Sequence, residues 1–258
     1  MALIEQSTYF DADDFAADVI GIAARVGKHD SGMHRHRKAQ LLYAPQGCMN
    51  ITLNGMRCVL PPTRAAWIPA GTLHCAEMYQ VVEYRSLYFD PKLTTHIEDR
   101  VKIIEVNPLL RALIERMAFW PWDKPGDSMQ LTHALFFEEL RYASETCLFL
   151  PLPSDRRLTA WLNALHLNQQ NAPSLKVLSE QIGASSKTIS RLFIRETGMP
   201  YQDWRQQWRL LKAIELLSAN LQVNDVAYRL EFSSDSAFIA FFKQQTGHTP
   251  LQYLRAGH

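Results

Sequence analysis

Between Val19 and Phe89 the apolar residues come in short, partly alternating runs separated by turn signals. Gln40-Leu41-Leu42-Tyr43, the run 48–53 and the run 56–60 suit pleated, half-buried strands, and Asn54-Gly55 between the last two is a two-residue hairpin signal. Pro61-Pro62 and Pro69-Ala70-Gly71 punctuate the next strands, and residues 81–89 are rich in β-branched and aromatic side chains. Strands this short and this often interrupted predict a small antiparallel barrel or sandwich.

After Asp90-Pro91 the period changes from two to 3.6. Leu110, Leu113, Ile114 and Met117 predict a helix over 107–120, and Leu131, Leu135, Leu140 and Ala143 predict another over 131–147. The segment 120–127, with Pro121 and Pro125, cannot continue either helix and separates them. Leu150-Pro151-Leu152-Pro153-Ser154-Asp155 reads as a proline-stiffened linker, beyond which the pattern is helical to the end. The predicted fold class is α+β with two domains. A barrel occupies 1–95 and a helical linker and dimerisation element 96–153, and an all-α domain fills 154–258.

Ser154-Asp155 caps a helix running to about residue 170, and Ala172-Pro173-Ser174 breaks it and caps the next. A short amphipathic helix over 175–182, a turn at Gly183-Ala184-Ser185 and a helix from Ser186 to the stop at Thr197-Gly198 have the size of a DNA-reading helix-turn-helix. The unit then recurs. Residues 223–230, a turn at Glu231-Phe232-Ser233 and residues 234–246 repeat it, with Phe193 matching Phe242 and Gly198 matching Gly247. The two units are therefore 175–197 and 223–246, the second with one residue added in its turn. One long helix over 201–219, with Trp204, Trp208, Leu211 and Leu216 inward, joins them. It spans about 28 Å at 1.5 Å per residue, close to the roughly 34 Å turn of B-DNA.

Charge sharpens this picture. The net charge of +1 hides twelve Arg and Lys against eight acids from Asp155 onward, so that part carries +4 and the remainder −3, which points to a polyanionic partner for the C-terminal domain. A hydrophobic fraction of 47% with 21% charged residues excludes wholesale disorder. Cys48, Cys58, Cys75 and Cys147 form no CxxC pair, against a zinc knuckle or a disulfide framework and in favour of a reducing compartment. The N-terminus has no basic cluster, and no run of about 18 apolar residues occurs, so a cytoplasmic protein with no membrane partner is expected.

The string Val223-Asn224-Asp225-Val226-Ala227, then Phe232-Ser233-Ser234-Asp235-Ser236-Ala237-Phe238, then Phe241-Phe242-Lys243, then Thr246-Gly247-His248-Thr249-Pro250 resembles the AraC/XylS family of transcription regulators. The resemblance covers 155–258. It implies paired major-groove contacts with double-stranded promoter DNA, regulation of a promoter rather than enzymatic turnover, RNA polymerase as a further partner and a homodimer. Ile182, Ile189, Leu192, Phe193, Phe238, Phe241 and Phe242 fall on core faces. The polar face of the first unit leaves Ser186, Lys187, Ser190, Arg191 and Arg195 for DNA, with Arg191 suited to a bidentate contact with guanine. The second unit has Ile239-Ala240 where relatives commonly carry an arginine, leaving Ser234, Asp235, Ser236 and the phosphate-reaching Lys243.

In the barrel, Gly32-Met33-His34-Arg35-His36-Arg37-Lys38-Ala39-Gln40 and Pro69-Ala70-Gly71-Thr72-Leu73-His74 resemble the two motifs of the cupin superfamily, in which histidines and a glutamate hold a metal. Gln40 stands in place of the glutamate. Two histidines at i and i+2 on a strand share a face, and with His74 they would suit zinc, nickel or ferrous iron, with Gln40 as a fourth ligand. The other reading has the same imidazoles hydrogen-bonding an organic effector. Tyr43, Trp67, Tyr79, Tyr84 and Tyr88 are the aromatic candidates for an effector pocket. DNA binding itself requires no cofactor. The alternative function is a metal-dependent cupin enzyme carrying a DNA-binding domain.

Overall fold

A computed structural model describes residues 10–53, 55–123, 125–146, 149–167 and 169–255. Asn54 of the hairpin signal and Cys147 lie outside them.

The N-terminal strands, in chain order, are β1 (Val19–Val26), β2 (His29–Asp30), β3 (Ala39–Gln46), β4 (Met49–Leu53), β5 (Met56–Leu60), β6 (Arg64–Ile68), β7 (His74–Met78), β8 (Val82–Phe89) and β9 (Lys102–Glu105). They form two antiparallel sheets. One has the order β1-β8-β3-β6-β9, and the other contains β5-β4-β7-β2. Helix α1 (Pro108–Ala118) is capped by Asn107, whose side chain accepts from Leu110 N, and α2 (Gln130–Tyr142) follows it.

Strand parity decides what each sheet face meets. Val19 and Ala23 of β1, Ala39, Leu41 and Tyr43 of β3, and Leu87 and Phe89 of β8 pack with Leu110, Ile114 and Met117 of α1 and Phe136 and Leu140 of α2 in one core. The alternate residues, among them Ile22, Gln40, Leu42 and Tyr88, face the other way into a cavity. Both faces are buried, which is why β1 and β3 read as near-continuous apolar runs. The segment 96–153, expected as a helical linker and dimerisation element, also holds a strand, since β9 pairs with β6 from Arg64↔Glu105 to Trp67↔Lys102.

The proline-rich linker departs from expectation as well. Phe149, Leu150 and Pro151 form a strand, β10, paired antiparallel with Cys58, Arg57 and Met56. A proline fits here because an edge position asks for no donated ladder bond from its nitrogen. The chain accordingly divides into two compact units, with residues 55–58 grouped with 149–255.

The C-terminal unit is helical. After one 3-10 turn at Arg156–Leu158 come α3 (Thr159–His166), α4 (Leu175–Ile182), α5 (Ser186–Thr197), α6 (Tyr201–Ser218), α7 (Val223–Arg229), α8 (Asp235–Thr246) and α9 (Pro250–Arg255). The helix expected to reach about residue 170 ends at His166. Ser174, Ser185 and Ser234 cap α4, α5 and α8 by accepting from Val177 N, Thr188 N and Ala237 N. Gly198 (φ +74) and Gly247 (φ +78) end α5 and α8 in the left-handed region, where a Cβ would cost about 1–2 kcal/mol. The first unit packs Phe193 against Tyr201 and Trp204 with ring centroids 4.8 and 5.3 Å apart, and the second packs Phe242 against Phe238 and Tyr253 at 5.8 and 5.4 Å.

Candidate DNA interface and effector cavity

The outer faces of α5 and α8 differ in chemistry. On α5, Ser186, Lys187, Arg191 and Arg195 are exposed and Ser190 is half-buried, while Ile189, Leu192 and Phe193 are buried. Lys187 and Arg191, one helical turn apart, make no ion pair among the described residues. Arg195 is already engaged. Its guanidinium lies 2.6 Å from Glu196 Oε1 and 3.9 Å from Asp155. Ser186 Oγ donates to Ser179 Oγ of α4 at 3.2 Å, on the exposed side. Ile194, 53% exposed and four residues after Ser190, shares the outer face, an apolar position that polarity-based reading passes over.

On α8, Asp235, Ser236, Ala240 and Lys243 are exposed and Ile239 half-buried. Ser234 is occupied as the cap. Ala240 occupies the place that Arg191 holds in the first unit, so α8 offers no guanidinium there. The turn before α8 is rigidly held. Glu231 adopts φ +58, and Asn171 Nδ2 donates to Arg229 O at 2.7 Å and to Glu231 Oε1 at 3.1 Å. From α6, buried Arg209 donates to Leu230 O at 2.7 Å and stacks over Phe232 at 3.7 Å.

The N-terminal unit holds a half-open cavity of about 480 Å³, lined by residues that include Ile22, Leu42, Met78, Tyr84 and Tyr88 together with His34, His36, Gln40 and His74. A backbone bridge, His34 N to His74 O and His74 N to His34 O, both 2.9 Å, sets two of the imidazoles side by side. The three rings offer nitrogens within 4.8 Å of one another.

Each ring has its Nδ1 against a backbone carbonyl: His34 on Gly32 O at 2.9 Å, His36 on Lys38 O at 2.5 Å and His74 on Thr72 O at 2.9 Å. A carbonyl only accepts, so each Nδ1 carries a proton, and in the neutral ring Nε2 keeps its lone pair. Burial favours the neutral form at two of them, drawing His74 down to about 4 and His36 below its ordinary value. The Nε2 of His74, a residue 1% exposed, is buried with no partner. The Nε2 of His36 faces Gln40 Oε1 at 3.1 Å, two acceptors toward each other, while Gln40 Nε2 donates to Ser86 Oγ at 2.9 Å. Turning the amide over relieves His36 but leaves the Nε2 of His74 orphaned. The 3.1 Å between His36 Nε2 and Gln40 Oε1 is the spacing of two donors each about 2.1 Å from a shared ion at right angles, and the same ion would give the Nε2 of His74 a partner. Hydrogen bonds from the far ring nitrogens to carbonyls are the usual way a protein orients metal-binding imidazoles.

The aromatic candidates separate by strand parity. Tyr88 and Tyr84 line the cavity, Tyr88 meeting His36 edge-on with ring centroids 5.1 Å apart. Tyr43 and Trp67 do not. They sit on the helix-facing side of β3 and β6, buried in the core with α1 and α2, and Tyr43 Oη donates to Pro62 O at 3.0 Å. Tyr79 is also outside the lining, its hydroxyl 3.3 Å from Glu77 Oε1. Phe10, absent from the sequence-based candidates, lines the cavity and packs with Phe15, Trp122 and Tyr88 at 5.5–5.6 Å. It lies outside any strand, so no periodicity marks it.

Comparison with known proteins places both regions. Residues 16–185 match the AraC-like ligand binding domain, and residues 178–256 match a helix-turn-helix domain. The chain is 29% identical over 241 residues to the HTH-type transcriptional regulator NimR of Escherichia coli (strain K12), covering 93% of this chain and 88% of NimR. It is 32% identical over 103 residues to the HTH-type transcriptional regulator RipA of Corynebacterium glutamicum, covering 40% of this chain and 31% of RipA. Among solved structures, ToxT from Vibrio cholerae aligns over 93% of this chain and 98% of its own at 12% identity, with a TM-score of 0.37.

Proposed function

The chain belongs to the AraC family of transcriptional regulators, with a ligand-binding domain ahead of a helix-turn-helix DNA-binding domain, and from that premise we propose a division of labour between its two helix-turn-helix units. The first reads sequence through Lys187, Ser190 and Arg191, with Ser186 and Arg195 beside them. The second anchors the chain through Lys243 and the short polar residues Ser234, Asp235 and Ser236. The observation that carries this is the exchange of Arg191 in α5 for Ala240 in α8 at the same outward position. A guanidinium can hold guanine O6 and N7 together, whereas a methyl group can only touch a thymine methyl.

Full-length protein bound to its operator should show affinity that falls steeply between low and moderate salt, as contacts to phosphates release counterions. Arg191→Ala should weaken operator binding by about 1–3 kcal/mol, roughly 5- to 150-fold, and relax preference at one base pair. Equal weakening on every sequence, with the salt slope reduced by about one, would make Arg191 a phosphate contact instead.

The cavity is the effector site in this reading, with Tyr84, Tyr88 and Phe10 as its aromatic wall. His34, His36, His74 and Gln40 hold a zinc, nickel or ferrous ion, which supplies a Lewis-acidic anchor inside the cavity. The orphaned Nε2 of His74 supports this over a site that only hydrogen-bonds an organic molecule. The site is one of binding rather than turnover, and the regulator works in the cytoplasm; no helix among the described residues is long and apolar enough to cross a membrane. Leu131 (87% exposed), Leu135 and Tyr142 (77%) form one stripe along α2, and that stripe is the contact of a symmetric homodimer. RNA polymerase is the further partner at the promoter.

A further inference from the structure

The donor set of the cavity site is electrically neutral, and that constrains what else binds there. Three imidazoles with protonated Nδ1 atoms and one amide bring no negative charge to a divalent ion. Two carboxylates also line the cavity, but both are turned to local partners. Asp30 Oδ1 accepts from Gly32 N at 2.8 Å and lies 3.1 Å from Cys75 Sγ, and Asp11 Oδ1 accepts from Asp13 N at 2.9 Å. Four protein donors fill a tetrahedral zinc but leave a nickel or ferrous ion, which takes five or six, with open positions, and all four donors border the same cavity. A doubly charged ion held by donors as buried as His36, Gln40 and His74 is stabilised more by an anionic donor than it would be in water. The remaining wall joins apolar and aromatic residues, Ile22, Leu42, Met78, Tyr84 and Tyr88 among them, with the polar His29 and Ser31 and the cationic Arg35, which also favours an anion.

We infer that the effector is a small organic anion that binds the ion directly, its anionic oxygen or nitrogen donors completing the sphere held by His34, His36, His74 and Gln40 and its apolar body lying along Tyr84, Tyr88 and Leu42. This rests on the metal-site reading given above. A cavity of about 480 Å³ accepts a single-ring molecule bearing a chelating group, such as a hydroxamate, a hydroxycarboxylate or an enolate.

Cobalt(II) makes both layers visible, since its absorption bands report ligand number and type. The full-length chain is titrated with cobalt, then with benzohydroxamate as the chelating anion and benzamide as its neutral counterpart of similar shape. The expected result is cobalt bands in the wild type that are lost in His34→Ala. That histidine is only half-buried, so the variant should keep its fold, which circular dichroism checks. Benzohydroxamate should shift the bands and bind cobalt-loaded protein at least tenfold more tightly than metal-free protein, while benzamide should do neither. Cobalt bands that benzohydroxamate leaves unchanged at millimolar concentration, or equal affinity with and without cobalt, would overturn the anionic-effector inference and leave the metal site standing. An absence of cobalt bands in the wild type, or bands untouched by His34→Ala, would overturn both.

Discussion

Replacing Gly21 with alanine is expected to destabilise the N-terminal unit by roughly 3 kcal/mol, at the upper end of what added core volume usually costs. Gly21 lies on the helix-facing side of β1, where the last turn of α1 crosses the strand. A Cβ built there would stand 2.0 Å from the carbonyl oxygen of Met117 and 2.8 Å from the Cα of Ala118. Both are backbone atoms, so no change of rotamer relieves the clash, and α1 must shift away from the sheet. That shift opens the core containing Ile114, Met117 and Phe89 and strains the hydrogen bond from Trp122 Nε1 to Gly21 O, 2.8 Å long. Urea unfolding followed by circular dichroism checks it. The comparison is Gly32→Ala, where φ is +64 but nothing lies within 4 Å of the added Cβ, so only the backbone cost of about 1–2 kcal/mol is due. A Gly21→Ala midpoint no lower than that of Gly32→Ala would mean that α1 does not sit on β1 as described.

The second large effect is expected at Arg209, and it should be local. Its guanidinium is buried and donates to the carbonyls of Leu230 and Glu231, at 2.7 and 3.4 Å, while stacking over Phe232 and lying 5.8 Å from the ring of Phe241. Desolvation lowers its pKa to about 10, which still leaves it charged at neutral pH. Arg209→Leu removes a charge-assisted bond worth about 1.5–3 kcal/mol and a cation–π contact of roughly 1–2 kcal/mol. It also leaves the turn at Glu231, already at φ +58, without its support from α6. Amide exchange should therefore quicken at least tenfold in α7 and α8 while α4 and α5 keep their protection, and operator affinity should fall with it. Arg209→Lys should restore the charge but not the fork of donors, recovering part of the loss. Uniform loss of protection across all four helices would assign Arg209 to general stability rather than to the second unit.

What the sequence disclosed, and what it concealed, follows from how local each signal is. The bounds of α4 and α5 were legible residue for residue because Ser174 and Ser185 start them and Gly183 and Gly198 stop them within the chain itself. The extra residue in the second turn was legible from the repeat, though not that Glu231 would take up the left-handed conformation. The convergence of His34, His36 and His74 was expected, but from a strand that the structure does not have: residues 31–38 lie between β2 and β3, and an isolated backbone bridge from His34 to His74 brings those two imidazoles together. Tyr43 and Trp67 were harder. A strand buried on both faces has no polar side to orient it, so nothing local separates the cavity-facing Leu42 and Tyr88 from the helix-facing Tyr43 and Phe89. Strand β10 was hidden for another reason, since its partner, at residues 56–58, lies some ninety positions away and its own sequence is proline-rich.

The two-unit account of DNA recognition is tested most directly by measuring the affinity of the full-length chain for its operator with the bases under each helix-turn-helix scrambled in turn. With Arg191 and Lys187 on α5 and Ala240 and Ile239 on α8, scrambling under the first unit should cost at least tenfold more affinity than scrambling under the second. An equal or larger loss under the second unit would contradict it.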